Sequence, residues 1–163
     1  MKWGSPGAPD LIWQIRGLAD FNGDGKADIL WRSANSGALQ VWLMNGVNVG
    51  TQGDTIARNA VWGIESVADF DGDGKADILW RSSNGGALQV WLMDGVNVGT
   101  QGDTIARNAV WRIESASDFD GDGKADILWR SSNSGALQVW LMNGVTNSEI
   151  GSPGTAALEW EIL

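Results

Sequence analysis

The chain of 163 residues contains no His, Cys or Tyr, and its 20 acidic and 11 basic residues give a formal charge of −9. This acidic balance argues against a nucleic-acid partner and favours metal cations, and the lack of Cys excludes disulfides and Cys-based zinc sites. No apolar run is long enough to cross a membrane, and the N-terminus lacks the apolar segment of a signal peptide. The sequence therefore predicts no membrane insertion and no signal peptide in this chain.

A repeat of 49 residues organises the whole chain. Trp13, Trp62 and Trp111 follow one another at this spacing, and the segments 26–62 and 75–111 differ at only three of 37 positions. Such near-identity indicates either recent amplification or deliberate design, and the sequence leaves both open. We predict one repeat domain over residues 1–163, with units at about 13–61, 62–110 and 111–159, and overlapping junction segments at 1–16 and 148–163.

Each unit is predicted to contain four short strands. In the second unit these are Trp62 to Asp69, 77–81, 87–93 and a fourth strand within 96–105. The first strand carries small residues, as a crowded innermost strand requires, and the second is apolar almost throughout, which suits a strand covered on both faces. The third ends in Asp94-Gly95, which predicts a tight type I′ hairpin into the fourth.

Units of about 49 residues with four strands each predict an all-β propeller built from three blades. The three Trp per blade are expected to fill the core between blades, and stacking of one of them on a sugar is the alternative. Three blades leave two faces open, and the junction segments match at seven of sixteen positions. We therefore predict head-to-tail association of chains, with a dimer of six blades favoured over a trimer of nine. A fragment of a longer protein is the alternative.

Between its first two strands each unit carries the pattern Asp-x-(Asp/Asn)-x-Asp-Gly-Lys-Ala-Asp. Oxygen ligands at loop positions 1, 3, 5 and 9, with the backbone carbonyl of position 7, converge when the chain turns at the Gly of position 6. All-oxygen ligation in a flexible site favours Ca²⁺ over Zn²⁺, copper or Mg²⁺. We predict about three Ca²⁺ per chain. The predicted ligands are Asp20, Asn22, Asp24, Lys26 and Asp28; Asp69, Asp71, Asp73, Lys75 and Asp77; and Asp118, Asp120, Asp122, Lys124 and Asp126.

The three loops differ at position 3. Asn22 stands where the other loops have Asp71 and Asp120, so the first site is predicted to be the weakest. Position 12 is Trp in every loop, so the bidentate Glu of an EF-hand is missing and the Asp at position 9 is expected to replace it. A simple turn without metal is the alternative, but three copies in one phase between predicted strands favour the metal sites.

The run Asp-Phe-(Asn/Asp)-Gly-Asp-Gly-Lys-Ala-Asp-Ile-Leu-Trp-Arg, followed by Gly-x-Leu-Gln-Val-Trp-Leu-Met-(Asn/Asp)-Gly, resembles the FG-GAP/VCBS repeats of bacterial surface and secreted proteins. These are related to the calcium-loop blades of the integrin α-subunit propeller. The resemblance implies a propeller with Ca²⁺ between strands one and two, a ligand-binding face on the opposite edge, and an extracellular or cell-surface location. The implied ligand face includes Arg32, Asn35, Arg81, Asn84, Arg130 and Asn133. Three repeats are fewer than the ring of about seven that is usual for the family.

The favoured function is a calcium-stabilised binding module, lectin-like or adhesive, that presents repeated surfaces to a glycan or surface polymer. A self-assembling structural scaffold without a ligand is the alternative. An enzyme is not expected, because His, Tyr and Cys are absent and the clustered carboxylates are assigned to metal. Glu65 and Glu114 lie on the predicted inner strands, where Arg16 is the equivalent residue of the first unit. We expect these glutamates to be buried beside an Arg or solvated in the channel, and catalysis by a lone Glu is the alternative.

Overall fold

The computed structural model describes residues 12–54, 57–104 and 106–161, which form twelve strands and no helix. The strands are β1 (Trp13–Ala19), β2 (Asp28–Ser33), β3 (Leu39–Asn45), β4 (Asn48–Asp54), β5 (Trp62–Ala68), β6 (Asp77–Ser82), β7 (Leu88–Asp94), β8 (Asn97–Thr104), β9 (Trp111–Ser117), β10 (Asp126–Ser131), β11 (Ala136–Asn143) and β12 (Thr146–Thr155). Four consecutive strands form each of three antiparallel sheets. The predicted all-β class and the three four-stranded units are confirmed.

The three sheets follow one another as blades but do not close into a ring within the described residues. Their first strands lie innermost, with β1 against β5 and β5 against β9. Most of the predicted junction segment 1–16, namely residues 1–11, lies outside the described residues, as do 162–163 of the C-terminal junction. None of the described residues forms a helix long and apolar enough to cross a membrane.

Small residues let the innermost strands approach each other closely. A Cβ on Gly17 would lie only 2.8 Å from Cγ2 of Val67 on the next blade. Each first strand also contains one residue that has no partner on the second strand, since Ile15 pairs with Trp31 and Gly17 with Leu30. Such a bulge bends the strand and changes the direction of its side chains. The same irregularity recurs in the other two blades.

The hairpin between the third and fourth strands forms where the Asn-Gly and Asp-Gly pairs predict it, but the type I′ turn is wrong. Asn45 pairs with Asn48, so Gly46 and Val47 are the two central residues. Gly46 has a φ of 62°, and no described residue other than glycine has a positive φ. Glycine at the first central position alone is the requirement of a type II′ turn. The dipeptide therefore identified the hairpin but placed its turn one residue too early.

Each pair of neighbouring blades encloses one hydrophobic core. The core between the first two blades consists of Phe21, Leu30, Leu39 and Val41 from the first blade and Ala76, Ile78, Trp80, Trp91 and Met93 from the second. The same positions of the second and third blades form the other core. The buried Trp therefore pack between blades, as predicted.

Candidate metal centre

The acidic loop of each blade is curled by its own carboxylates. In the second blade, Asp69 Oδ1 accepts a hydrogen bond from Gly72 N–H at 2.7 Å, and its Oδ2 accepts from Gly74 N–H at 2.8 Å. Both glycines have φ near +80°, a conformation that side-chain-bearing residues rarely adopt. Asp71 and Asp73 each accept from the backbone N–H two residues further on. The carboxylates of the loop and the positive φ of its glycines thus hold the chain in a tight turn.

The Asp at loop position 9 has a structural role that the sequence does not show. Asp77 is buried, and its two carboxylate oxygens accept hydrogen bonds from Phe70 N–H at 2.8 Å and Met93 N–H at 2.9 Å. Asp28 and Asp126 bind the equivalent amides of their blades. Each of these carboxylates therefore ties the acidic loop to the end of the third strand, and its remaining lone pairs are the ones left for a metal.

Two of the three loops bring a set of carboxylates together. Ligand oxygens of Asp69, Asp71 and Asp77 lie within 4.8 Å of one another, and so do those of Asp118, Asp120 and Asp126. In the first loop the position-3 ligand is the amide of Asn22 rather than a carboxylate. A set of hard oxygen donors fits Ca²⁺, which takes carboxylate and carbonyl ligands. Loop positions 1, 3 and 9 therefore form the centre of the candidate site in the second and third loops.

The Asp at loop position 5 does not join these clusters. Asp73 Oδ2 lies 3.4 Å from the ammonium of Lys75, and the equivalent distances are 3.0 Å in the first loop and 2.8 Å in the third. Lys75 also contacts Asp94, at 2.9 Å. All of these pairs are partly exposed, so they contribute little to stability and can rearrange. Of the predicted ligands, Asp24, Asp73 and Asp122 are thus turned towards a lysine.

Burial of carboxylates changes their protonation. Removal from water raises the pKa of Asp77 to about 7, and the nearby charges of Asp71 and Asp69 add to this effect. Burial also raises the pKa of Asp71 and of Asp126. Without metal, the Asp77 carboxyl is therefore partly protonated near neutral pH, and a bound cation would displace the proton.

The first two acidic loops are held in place by the blade that follows them. Asp20 C=O accepts a hydrogen bond from Ala76 N–H at 2.7 Å, and Phe21 C=O accepts from Gly95 N–H at 2.8 Å. The same pair of bonds, at 2.6 and 2.8 Å, joins the second loop to the third blade. The loops are consequently part of the interfaces between blades, and any ion that stiffens a loop also stiffens an interface.

Each blade of the described chain has a cavity on the opposite edge, between the loop that joins strands two and three and the segment that enters a first strand. Their volumes are about 410, 590 and 220 Å³ from the first blade to the third. The bulged residue of the first strand lines each cavity, and this residue is Arg16, Glu65 or Glu114. The second cavity is the largest of these three, and Gly63 lines it where the third has Arg112. The three grooves therefore differ in charge and in size.

Only some of the residues predicted for the ligand face line the cavities. The guanidinium of Arg81 donates to the carbonyls of Arg107 and Asn108 at 3.1 and 3.0 Å, and Arg32 makes the equivalent bonds to Arg58 and Asn59. Arg130 instead donates to the carbonyls of Ala157 and Trp160. These arginines line the cavities but are held by backbone. Asn35 lines the first cavity. Asn84 and Asn133 are exposed on their loops and do not line the cavities of their own blades.

Arg58 and Arg107 were not identified from the sequence as site residues. The Arg58 guanidinium lies 3.8 Å from the ring centroid of Trp62, and Arg107 lies 3.9 Å from that of Trp111. Arg58 also donates to Gln89 of the next blade. The repeated run Arg-Asn-Ala-Val-Trp is the signal that could have identified this stacking. The arginines cover Trp faces that would otherwise suit a sugar ring.

Comparison with known families gives a consistent result. The model of an FG-GAP-like repeat matches residues 20–80, and the FG-GAP repeat model matches residues 61–100 and 110–144. Together these matches cover more than half of the chain and include all three acidic loops. No curated protein has a significant match to the chain.

Proposed function

The chain belongs to the FG-GAP repeat family, and we propose on that basis that it is an integrin-like, propeller-type interaction module whose acidic loops bind Ca²⁺. The observation that carries the calcium assignment is the approach of three carboxylates within 4.8 Å in each of two loops. Like charges at this separation repel one another, and a divalent cation relieves that repulsion. The first loop has the same sequence apart from Asn22 in place of one carboxylate, and we extend the proposal to it on that basis.

Calcium would act structurally in this protein. Asp69, Asp71 and Asp77 would hold the ion in the second blade, with their counterparts in the other two. Because the loop carbonyls accept hydrogen bonds from the next blade, an ordered loop supports the adjacent interface. The ion thus supplies rigidity rather than reactivity, and we assign no enzymatic activity to the chain.

The grooves on the opposite edge are the proposed ligand face. The largest groove combines Arg81, Glu65 and Asn108, which offer charged and hydrogen-bonding groups to a polar ligand. A glycan or a surface polymer with many hydroxyl groups fits this chemistry, in keeping with an extracellular or cell-surface location. Several grooves on one molecule would bind a polymer more tightly than a single groove does.

Calorimetric titration with CaCl₂ tests the calcium proposal. We expect about three ions per chain, two bound more tightly than the third, with little competition from Mg²⁺. The variants Asp71→Asn and Asp120→Asn should each weaken one tight site, whereas Thr100→Asn, at an exposed position outside the loops, should change nothing. The absence of any saturable calcium binding would rule out this function for the loops.

A structural scaffold without a ligand is the second candidate, and the stacking of Arg58 and Arg107 on Trp faces favours it. A glycan array probed with the calcium-loaded protein separates the two. Binding that is lost in Glu65→Gln but kept in Thr100→Asn would support the ligand face. An array without hits would favour the scaffold and would leave the calcium titration unaffected.

A further inference from the structure

We propose that two copies of this chain associate head to tail. The open face of the first blade in one copy, here called the leading face, packs against the open face of the third blade in the other copy, here called the trailing face. The leading face of the first blade consists of Ala27, Ile29, Trp31, Trp42 and Met44. The trailing face of the third blade consists of Phe119, Leu128, Leu137 and Val139. This inference rests on the contacts between blades and does not depend on calcium or on a groove ligand.

The two faces are the unpaired halves of an interface that the chain already contains twice. Inside the chain, the trailing face of the first blade packs against the leading face of the second blade. The trailing face of the second blade packs in the same way against the leading face of the third blade. Each open face therefore matches a face that already packs against its counterpart elsewhere in the chain. A second copy presents the required complement to each open face, so its docking continues an established interface.

Exposure shows that both faces lack their complement. Phe119 is 47% exposed, whereas its counterparts Phe21 and Phe70 are fully buried. On the leading face, Ile29 and Trp31 are partly exposed, whereas their counterparts in the next two blades are buried. Burying these side chains against a second copy would be favourable by the hydrophobic effect, as it is inside the chain.

The hairpin tip of one blade fits a gap in the fourth strand of the blade before it. Val96 fills a gap at Gly53 of the preceding blade so closely that a Cβ on Gly53 would lie 2.3 Å from the Val96 Cβ. The pair formed by Gly102 and its partner in the third blade has the same 2.3 Å separation. Val47, the counterpart on the leading face, is 95% exposed. The counterpart gap on the third blade is Gly151, where a Cβ would meet no described atom within 4 Å.

Backbone hydrogen bonds between neighbouring blades are also unpaired at the two open faces of the described chain. The second and third blades donate from Ala76 and Ala125, and from the following hairpin glycines, to the carbonyls of the preceding loop. In the described part of the chain no blade donates in this way to the carbonyls of Asp118 and Phe119. The amides of Ala27 and Gly46 on a docked second copy occupy the equivalent positions. The third acidic loop would thus gain the support that the first two already have.

Two chains docked in this way at both faces give six blades, which lies within the range of four to eight blades found in propellers. The C-terminal junction enters this geometry directly. Trp160 forms the same turn, with its N–H donating to Ala157 C=O at 3.0 Å, that precedes the first strand of the second and third blades. In the docked arrangement Trp160 of one copy therefore overlaps the position of Trp13 of the other copy. One of these two junction segments must move when the copies dock.

Sedimentation velocity over a wide range of protein concentration tests the proposal, with native mass spectrometry as an independent measure of mass. The full chain is expected to sediment at twice its mass of 17.4 kDa. Gly151→Ala should weaken association by about 10- to 100-fold per interface, because the added methyl group meets Val47 of the second copy. Its own fold should be unchanged, because the space around Gly151 is open within the described chain.

Gly63→Ala is the matched control, since its added Cβ meets only ordinary contacts away from both open faces. It should remain dimeric. Val47→Asp should dissociate the dimer, while Thr100→Asp, with the same added charge at an exposed position of the second blade, should not. A full chain that is monomeric at all concentrations would overturn the proposal. A dimer that Gly151→Ala and Val47→Asp leave intact would equally show that association uses another surface.

Discussion

The two edges of the blades have diverged to different degrees. Along the acidic edge, the three nine-residue loops differ only where Asn22 replaces Asp. Along the groove edge, the bulged residue changes from Arg16 to Glu65 and Glu114, and the residue two positions earlier is Gln, Gly or Arg. The loop edge is held by backbone amides and by carboxylates that share one centre, so it tolerates little change. The groove side chains line cavities and differ between blades, so the proposed ligand face is the edge on which we expect any specificity to lie.

The largest expected loss of stability comes from the Asp at loop position 9, and it distinguishes the structural role of the second loop from its role in binding metal. Asp77→Ala should destabilise the protein by about 4 kcal/mol even in a chelator, because two buried N–H groups lose their acceptor. Asp71→Asn, in the same loop, should cost far less in a chelator and should reduce only the stabilisation by Ca²⁺. Urea unfolding with EDTA and with Ca²⁺ measures both, and equal losses for the two variants in EDTA would contradict the distinction.

The groove edge should respond to substitution regardless of calcium. Gly86→Ala is expected to cost about 3 kcal/mol, because its φ is +69° and a Cβ would lie 1.7 Å from Arg107 O. Gly85→Ala is the matched control, with a φ of +83° but open space around it, and should cost about 1 kcal/mol. Thermal unfolding in EDTA and in Ca²⁺ should give the same difference between the variants. A difference that depends on calcium would show that the two edges are coupled.

The pH dependence should be a property of the acidic edge. The pKa of Asp77 is raised to about 7 in the folded protein, compared with the ordinary value of 3.8 in the unfolded chain. Its contribution to stability is therefore complete below pH 3.8 and is lost as the pH rises through 7. In EDTA we expect the melting temperature to fall by about 5 °C between pH 5.5 and 8.

With saturating Ca²⁺ this fall should disappear, because the ion binds the deprotonated carboxylate more tightly as the pH rises. The variant Asp77→Asn, which cannot ionise at this position, should show a flatter profile in EDTA. If the profile of this variant remained as steep as that of the parent protein, other groups would have to carry the pH dependence.

The smallest expected effect concerns the one difference among the loops. Asn22→Asp should raise the calcium affinity of the first site by about tenfold, because it restores a third carboxylate to the cluster. Asp71→Asn should lower the affinity of the second site by a similar factor. Calorimetry resolves both changes, and an unchanged first site would mean that the position-3 side chain is not a ligand.

The sequence repeat predicts the fold, but the sequence does not predict the structural role of the Asp at loop position 9. The 49-residue spacing and the turn residues of the loops predict the strands, because local pattern and tertiary packing agree in every blade. The second role of Asp77, as an acceptor for amides of Phe70 and Met93, depends on contacts between distant residues. No local pattern reports these contacts. The groove residue Glu65 was identifiable, but its position on a bulge depends on strand register.

Thermal unfolding of the full chain tests the central claim that the acidic edge is a set of calcium sites. The melting temperature should drop strongly in excess EDTA and recover with Ca²⁺ but not with Mg²⁺. The sedimentation of the same samples should be recorded, so that a change of association is not mistaken for a change of fold. A melting temperature that EDTA and Ca²⁺ leave unchanged would mean that the acidic loops are turns stabilised by their own hydrogen bonds alone.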